Sequence, residues 1–189
     1  MSRVIWRTRL VRRGIPPALQ SWLTEPGSLT ARCQSRCEKF MVKVLHYGYS
    51  RALADEGRGG RQVRVREVLL SCDGVPVIFA HTSLCTAPCK KHPWGVALSN
   101  LPAGQSRGPL SRWLARLGSR SLGSLLFAHP GFQRGEIEYC RLDARHPLFQ
   151  RVAEVCPLPG QLWARRSRHS LGGQTVLVTE VFLPAIETL

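Results

Sequence analysis

The dipeptide Asp73-Gly74 stands between two apolar runs, Val63–Cys72 and Val75–His81, and no other feature of the sequence constrains the fold so strongly. A turn of this kind between alternating or apolar runs is the strongest short-range signal for a β-hairpin. A second pair stands near the C-terminus, where Leu162–Leu171 and Thr175–Leu183 flank Gly172-Gly173. Sequential strands joined by tight turns lie antiparallel, so the sheet that holds them is antiparallel.

The other elements can be placed around these hairpins. Phe40 to Tyr47 alternates, with Phe40, Val42, Val44 and His46 on one face and Met41, Lys43, Leu45 and Tyr47 on the other, which predicts a strand. Phe132 to Leu142 reads as another strand. Pro16-Pro17 opens a short apolar segment, Ala18 to Leu23. Ser28 is placed to cap a helix running to about Cys37. Leu110 to Leu117 has helical spacing and ends at Gly118, and Pro147 to Val155 predicts a short helix. Residues 50–60 form a polar, glycine-rich loop, residues 83–108 a long irregular insertion, and Ser121 to Phe127 a short apolar piece. The expected fold is α+β, a single antiparallel sheet of about six strands with helices packed on it. At 189 residues the chain can bury a core without disulfides or metals, and we expect one domain over 1–189 with a basic arm over 1–17.

Charge narrows the function less than it first promises. The sequence holds 27 basic and 12 acidic residues, a formal charge of +15. Such a balance suits a nucleic-acid partner or a small anionic substrate drawn in by a positive field. The arginines are scattered, with no aromatic-interleaved stripe or recognisable basic helix. Seven cysteines, with no secretory signal ahead of them, are expected to be reduced thiols. Cys85, Cys89 and His92 lack a second close pair, and Lys90 and Lys91 would repel a cation, so no metal site is expected. No apolar run approaches the roughly 20 residues needed to span a bilayer. The expectation is a soluble, cytoplasmic protein.

Two charges stand out by strand period. Arg66 shares a face with Val68 and Leu70, and Glu180 shares one with Val176, Val178 and Phe182. A charge on an apolar strand face is costly unless it is partnered. Either the two pair with each other as a buried structural ion pair, or they line a closed pocket. In the second case the arginine grips a carboxylate and the glutamate meets a hydroxyl or a proton. The strand pattern leaves both open.

Five segments, in collinear order, resemble the chorismate lyase family. Trp22-Leu23 followed by Ser28-Leu29-Thr30 resembles its "WL…S-M/L-T" segment. Val65 to Gly74 is similar to its "REILL-x-x-DG" hairpin, and Ser121 to Phe127 to its "PLG-x-x-LF". Leu162 to Ser167 is similar to "LW-x-RRS", and Thr179 to Ala185 to the C-terminal "TE-hydrophobic-FLP". The resemblance covers about residues 20 to 186.

It implies an enclosed ligand cavity beneath helical flaps, with ligand-contacting positions at Leu29, Arg66, Leu122 and Glu180. Arg66 would bind the ring carboxylate and Glu180 would lie near the ring hydroxyl. Leu29 and Leu122 would contribute apolar walls, although a lone leucine is more often ordinary core. The implied activity is that of a chorismate pyruvate-lyase, releasing 4-hydroxybenzoate and pyruvate without metal or cofactor at the start of ubiquinone synthesis. The implied partner is the small-molecule substrate alone, for a monomer with no nucleic acid.

The chain departs from the family where an arginine commonly follows the second strand of the central hairpin. Here Ala80-His81-Thr82 places His81 as a substitute donor. Two other readings are weighed against the enzyme. The first is a non-catalytic small-acid sensor, whose usual winged-helix domain would need more than the 20 or so residues before Trp22. The second is a basic nucleic-acid-binding protein, with affinity falling steeply in salt.

Overall fold

The computed structural model describes residues 4–56, 61–85, 109–120, 122–123, 129–171 and 174–189. Its strands are β1 (Phe40–Arg51), β2 (Gln62–Cys72), β3 (Val75–Cys85), β4 (Gln133–Arg134), β5 (Glu138–Asp143), β6 (Gln161–Leu171) and β7 (Gln174–Phe182). They form one antiparallel sheet in the order β1-β2-β3-β7-β6-β4, with β5 also paired to β6. The helices are α1 (Pro17–Leu23), α2 (Leu29–Gln34), α3 (Pro109–Arg116) and α4 (Pro147–Ala153). The α+β class and the antiparallel sheet are as expected, with seven strands.

The central hairpin closes through Asp73 and Gly74, whose φ angles of 51° and 84° are the left-handed pair that a two-residue turn between twisted strands requires. Gly172-Gly173, most of Ser121 to Phe127 and most of the 83–108 segment lie outside the described residues. The part of that segment that is described, through Cys85, continues β3 past its expected end at His81.

Helix starts follow their local chemistry. The Ser28 hydroxyl accepts the Ala31 amide at 3.3 Å, and the helix it opens stops at Gln34, short of Cys37. Pro17 sits in the first turn of α1, where its missing N–H costs nothing. His146 caps α4 by accepting the Leu148 amide at 3.2 Å.

The sheet buries both faces. On the first, Val68, Leu70 and Ile78 pack under Trp22 and Leu23 of α1, Leu29 of α2 and Ile186 of the C-terminal 3-10 helix Pro184–Thr188. Leu110, Leu114 and Leu117, on and just after α3, cover Leu84 and Val176 further along the same face. On the second face, Leu69, Phe79 and Val181 pack with Leu148, Phe149 and Val152 of α4. Each such large apolar side chain contributes roughly 1.5–3 kcal/mol on burial. The first face is where a cavity remains.

Two register slips reshape what the alternation predicts. In β1, Val44 pairs with Val68 but His46 pairs with Glu67. One residue is therefore extra between them, and His46 leaves the face it was expected to share with Val42. In the expected strand Phe132–Leu142, Arg134 pairs with His169 whereas Glu138 pairs with Arg166. The sums of paired numbers change by one, so β4 and β5 are separate strands offset across Gly135. A one-residue slip exchanges the two faces of a strand. Arg134 therefore points to the first face, while Cys140 and Leu142 of β5 join the second-face core.

Candidate active site

The first face holds a cavity. Val68 and Leu70 of β2, Ala80 of β3 and Val178 of β7 form its floor, and Leu29 and Leu122 cover it. Both leucines are almost fully buried, as apolar walls would be.

Arg66 enters from β2, on the Val68 and Leu70 side that the strand period assigned to it. It is 4% exposed. Its Nη2 donates to the carbonyls of Gly118 and Arg120, both at 2.9 Å. Gly118, with φ 52°, turns the chain after α3 in the left-handed conformation that suits glycine. Among the described residues no carboxylate pairs with Arg66. Burial pushes its pKa down, against the opposing influence of Tyr47.

Glu180 lines the same cavity from β7. The ion pair with Arg66, one of the two readings left open by the sequence, does not form. The partner is Arg165, directly across in the β6–β7 register, whose Nε donates to Glu180 Oε2 at 2.7 Å. Arg165 is 1% exposed, and its Nη1 also donates to the carbonyls of Leu23, at 3.2 Å, and Glu25, at 2.6 Å. One guanidinium thus fixes the glutamate and ties down the connection between α1 and α2.

Sequence reasoning did not single out Arg165, Arg134 or His169. The signal for Arg165 was available, since Trp163, Arg165, Ser167 and His169 share one strand face. For Arg134 there was none, because its aim depends on the slip at Gly135. Arg134 Nε donates to Ser167 Oγ at 3.1 Å and its Nη1 to the Pro26 carbonyl at 2.8 Å. Burial and the charge of Arg165 push its pKa down. His169 Nε2 meets the same Ser167 hydroxyl at 2.8 Å. Burial, reinforced by Arg134 and Arg165, pushes the His169 pKa down to about 3, so the ring is neutral near pH 7.

His81 requires a correction. It was expected to face the ligand, but it lies on the second face, opposite Glu67 in the β2–β3 register. Its Nδ1 meets Glu67 Oε1 at 2.8 Å and its Nε2 meets Glu56 Oε1 at 3.2 Å. Pairing alternates along a strand, so a residue between Ala80 and Thr82, which both line the cavity, must point away from it.

Among the described residues no group of three or more His, Cys, Asp or Glu is arranged to hold a metal ion. Cys89 and His92 lie outside them.

What the cavity can do follows from these parts. It offers a buried guanidinium for a carboxylate, a carboxylate held in place by its own arginine, and apolar walls suited to a ring. Comparison with known proteins supplies the family. The family model for chorismate lyase matches residues 1–106 and 90–188. A probable chorismate pyruvate-lyase of Dechloromonas aromatica is 56% identical over 193 residues, covering 100% of this chain and 99% of that one. Its counterparts in Aromatoleum aromaticum and Nitrosomonas europaea are 42% and 41% identical, covering 96% and 92% of this chain and 92% and 91% of theirs. The solved ligand-binding domain of a GntR-family regulator from Bordetella bronchiseptica, at 17% identity, covers 78% of this chain and 87% of its own with a TM-score of 0.43, too loose a likeness to bear on function. With the family model and full-length relatives in agreement, the chain belongs to the chorismate lyase family.

Proposed function

We propose that this protein removes pyruvate from chorismate to give 4-hydroxybenzoate, with Arg66 holding the ring carboxylate and Glu180 beside the ring hydroxyl. The observation that carries the reading is Arg66 itself. A buried guanidinium facing a cavity, with only backbone carbonyls for partners among the described residues, is suited to an anion, and a bidentate carboxylate is what its geometry favours. The names of the relatives support the same substrate.

The chemistry asks little beyond such a site. The C3–O bond of chorismate breaks and the C4 hydrogen leaves as a proton, its electron pair forming the last ring double bond. The departing enolpyruvate takes a proton on its methylene carbon and becomes pyruvate. Aromatisation drives the step, and no oxidant or reductant enters the balance. The protein contributes orientation, electrostatic support for the leaving enolpyruvate and exclusion of water. Glu180 assists the proton transfer from C4, and Leu29 and Leu122 close the apolar cover.

The proposal extends to a cofactor-independent monomer acting in the cytoplasm as one domain with a basic arm, supplying 4-hydroxybenzoate for ubiquinone synthesis. No helix of the described residues is long and apolar enough to cross a membrane.

The test is to incubate metal-free protein with chorismate and quantify both products, beside an Arg66→Ala control. Equimolar 4-hydroxybenzoate and pyruvate, collapsing in the control, is the expected result. Binding without release of pyruvate would turn the reading into that of a small-acid sensor.

A further inference from the structure

The cavity holds more positive charge than one carboxylate requires. Its described lining carries three arginines, Arg66, Arg134 and Arg165, against a single carboxylate, Glu180. His169 adds no charge near neutrality, given its depressed pKa. The formal balance is therefore +2 inside a buried space. A chorismate molecule is a dianion, whereas 4-hydroxybenzoate, with its phenol protonated, is a monoanion. The excess matches the substrate and not the ring product.

Geometry indicates which arginine meets the second carboxylate. Arg165 is ion-paired to Glu180 through its Nε, with Nη1 on the Leu23 and Glu25 carbonyls, whereas Arg134 donates to the Ser167 hydroxyl and to the Pro26 and Gly27 carbonyls. Arg66 and Arg134 stand at opposite sides of the cavity, on β2 and β4. In the order β2-β3-β7-β6-β4 they are four strand spacings apart, about 19 Å at the backbone, with side chains converging on the space between. Glu180, on the intervening β7, lies close enough to Arg134 for its charge to act on that guanidinium.

A ring with its C1 carboxylate on Arg66 and its C4 hydroxyl near Glu180 spans the first part of that line. The enolpyruvyl ether, on C3 beside the hydroxyl, then has its carboxylate near the β6–β4 side. Arg134 is held there by Ser167 and the Pro26 carbonyl.

Resting on the reading of the protein as a chorismate lyase, we propose that Arg134 binds the enolpyruvyl carboxylate and selects the dianionic substrate over the monoanionic aromatic product. Its contact is with the leaving fragment. It holds the ether in place for elimination and opposes the negative charge that develops on the departing oxygen.

The test separates dianion from monoanion. Arg134→Gln and Arg134→Lys proteins are compared with wild type for KM and kcat on chorismate and for the inhibition constant of 4-hydroxybenzoate. Arg134→Gln is expected to raise KM for chorismate about ten- to a hundredfold and to leave the 4-hydroxybenzoate constant within about threefold. Arg134→Lys is expected to recover part of the loss, because it keeps the charge without the fork.

Equal loss of affinity for both ligands would overturn the proposal, making Arg134 only a tie for the turn at Pro26. An unchanged KM would overturn it as well. Failure of the parent reading looks different, since wild-type protein would then release no pyruvate. In that case the same ratio is read from calorimetric affinities for intact chorismate and for 4-hydroxybenzoate.

Discussion

The two faces of the sheet bury charges in opposite ways. On the second face Glu67, His81 and Glu56 form a closed chain, with Arg151 on Glu67. Beside it Arg166 donates to Glu138 at 2.7 Å, and Asp55 accepts from Trp6 at 2.7 Å. Burial raises the Asp55 pKa, but hydrogen bonds from His146 and Trp6 outweigh it and hold the group at about 2. These charges answer one another. On the first face, among the described residues, Arg66 answers only carbonyls, and the arginines outnumber the carboxylate around the cavity.

Neighbours in sequence illustrate the split: Arg66 faces the cavity and Glu67 does not, as with Arg165 and Arg166. The general lesson is that burial alone does not mark a functional charge. A charge closed off by its own counter-charges specifies structure, whereas one aimed at a cavity with its balance unfilled marks a ligand site.

The comparison can be broken most sharply at Arg66. Arg66→Ala is expected to cut kcat/KM on the order of 10²–10³-fold, the usual cost of removing one partner of a buried charged contact. It should leave the melting temperature unchanged or higher, since an unpaired buried charge is lost. A protein that unfolds instead would place Arg66 with the structural charges. Glu180→Gln should lower kcat by about 10²-fold or more if the carboxylate assists proton transfer. Full turnover in that variant, measured by pyruvate release, would remove the proton-transfer role.

The second face should respond the other way. Glu67→Ala leaves His81 and Arg151 short of a partner and is expected to cost about 3–5 kcal/mol, a fall in Tm on the order of 10 °C for a chain of this size. KM for chorismate should change less than about threefold. A variant that keeps its Tm but loses KM would erase the distinction between the faces.

The smallest effect is in pH dependence, where two of the buried histidines, His81 and His169, carry opposite signs. For His81, burial lowers the pKa, but its hydrogen bonds with Glu56 and Glu67 outweigh that and raise it above 6.5. Its stabilisation is complete below 6.5 and is lost as pH rises through the folded value. His169 is depressed to about 3. The unfolded chain therefore takes up that proton first, and stability is lost as pH falls from 6.5 toward 3. Glu56 and Glu67, lowered from 4.5 despite burial by their bonds to His81, contribute above 4.5 and lose that contribution as pH falls through their folded values. Melting curves from pH 4 to 9 should therefore flatten on the acid side in His169→Gln and on the alkaline side in His81→Gln. The same slope change in both would show that the faces do not differ electrostatically.

Much of this site was legible along the chain. The period of two put Arg66 with Val68 and Leu70, and Glu180 with Val178, on the face where the cavity lies. The same period, applied to Ala80-His81-Thr82, would have sent His81 to the other face. It was instead expected at the ligand from the family resemblance, which places an arginine there. Glu180's partner was not legible, because it is set by which strand lies beside β7. Two strands are adjacent to it, and only the assembled order puts Arg165 rather than a residue of β3 in reach.

By itself, then, the sequence determined the hairpins, the antiparallel sheet and the faces of Arg66 and Glu180, because turns and side-chain alternation are set by near neighbours. The tertiary structure alone decided the rest: Arg165 as the partner of Glu180, the closure of His81 between two glutamates, and the slip at Gly135 that turns Arg134 into the cavity. Register and pairing depend on the strand alongside, which for β3 and β7 lies dozens of residues away. No local pattern carries that information.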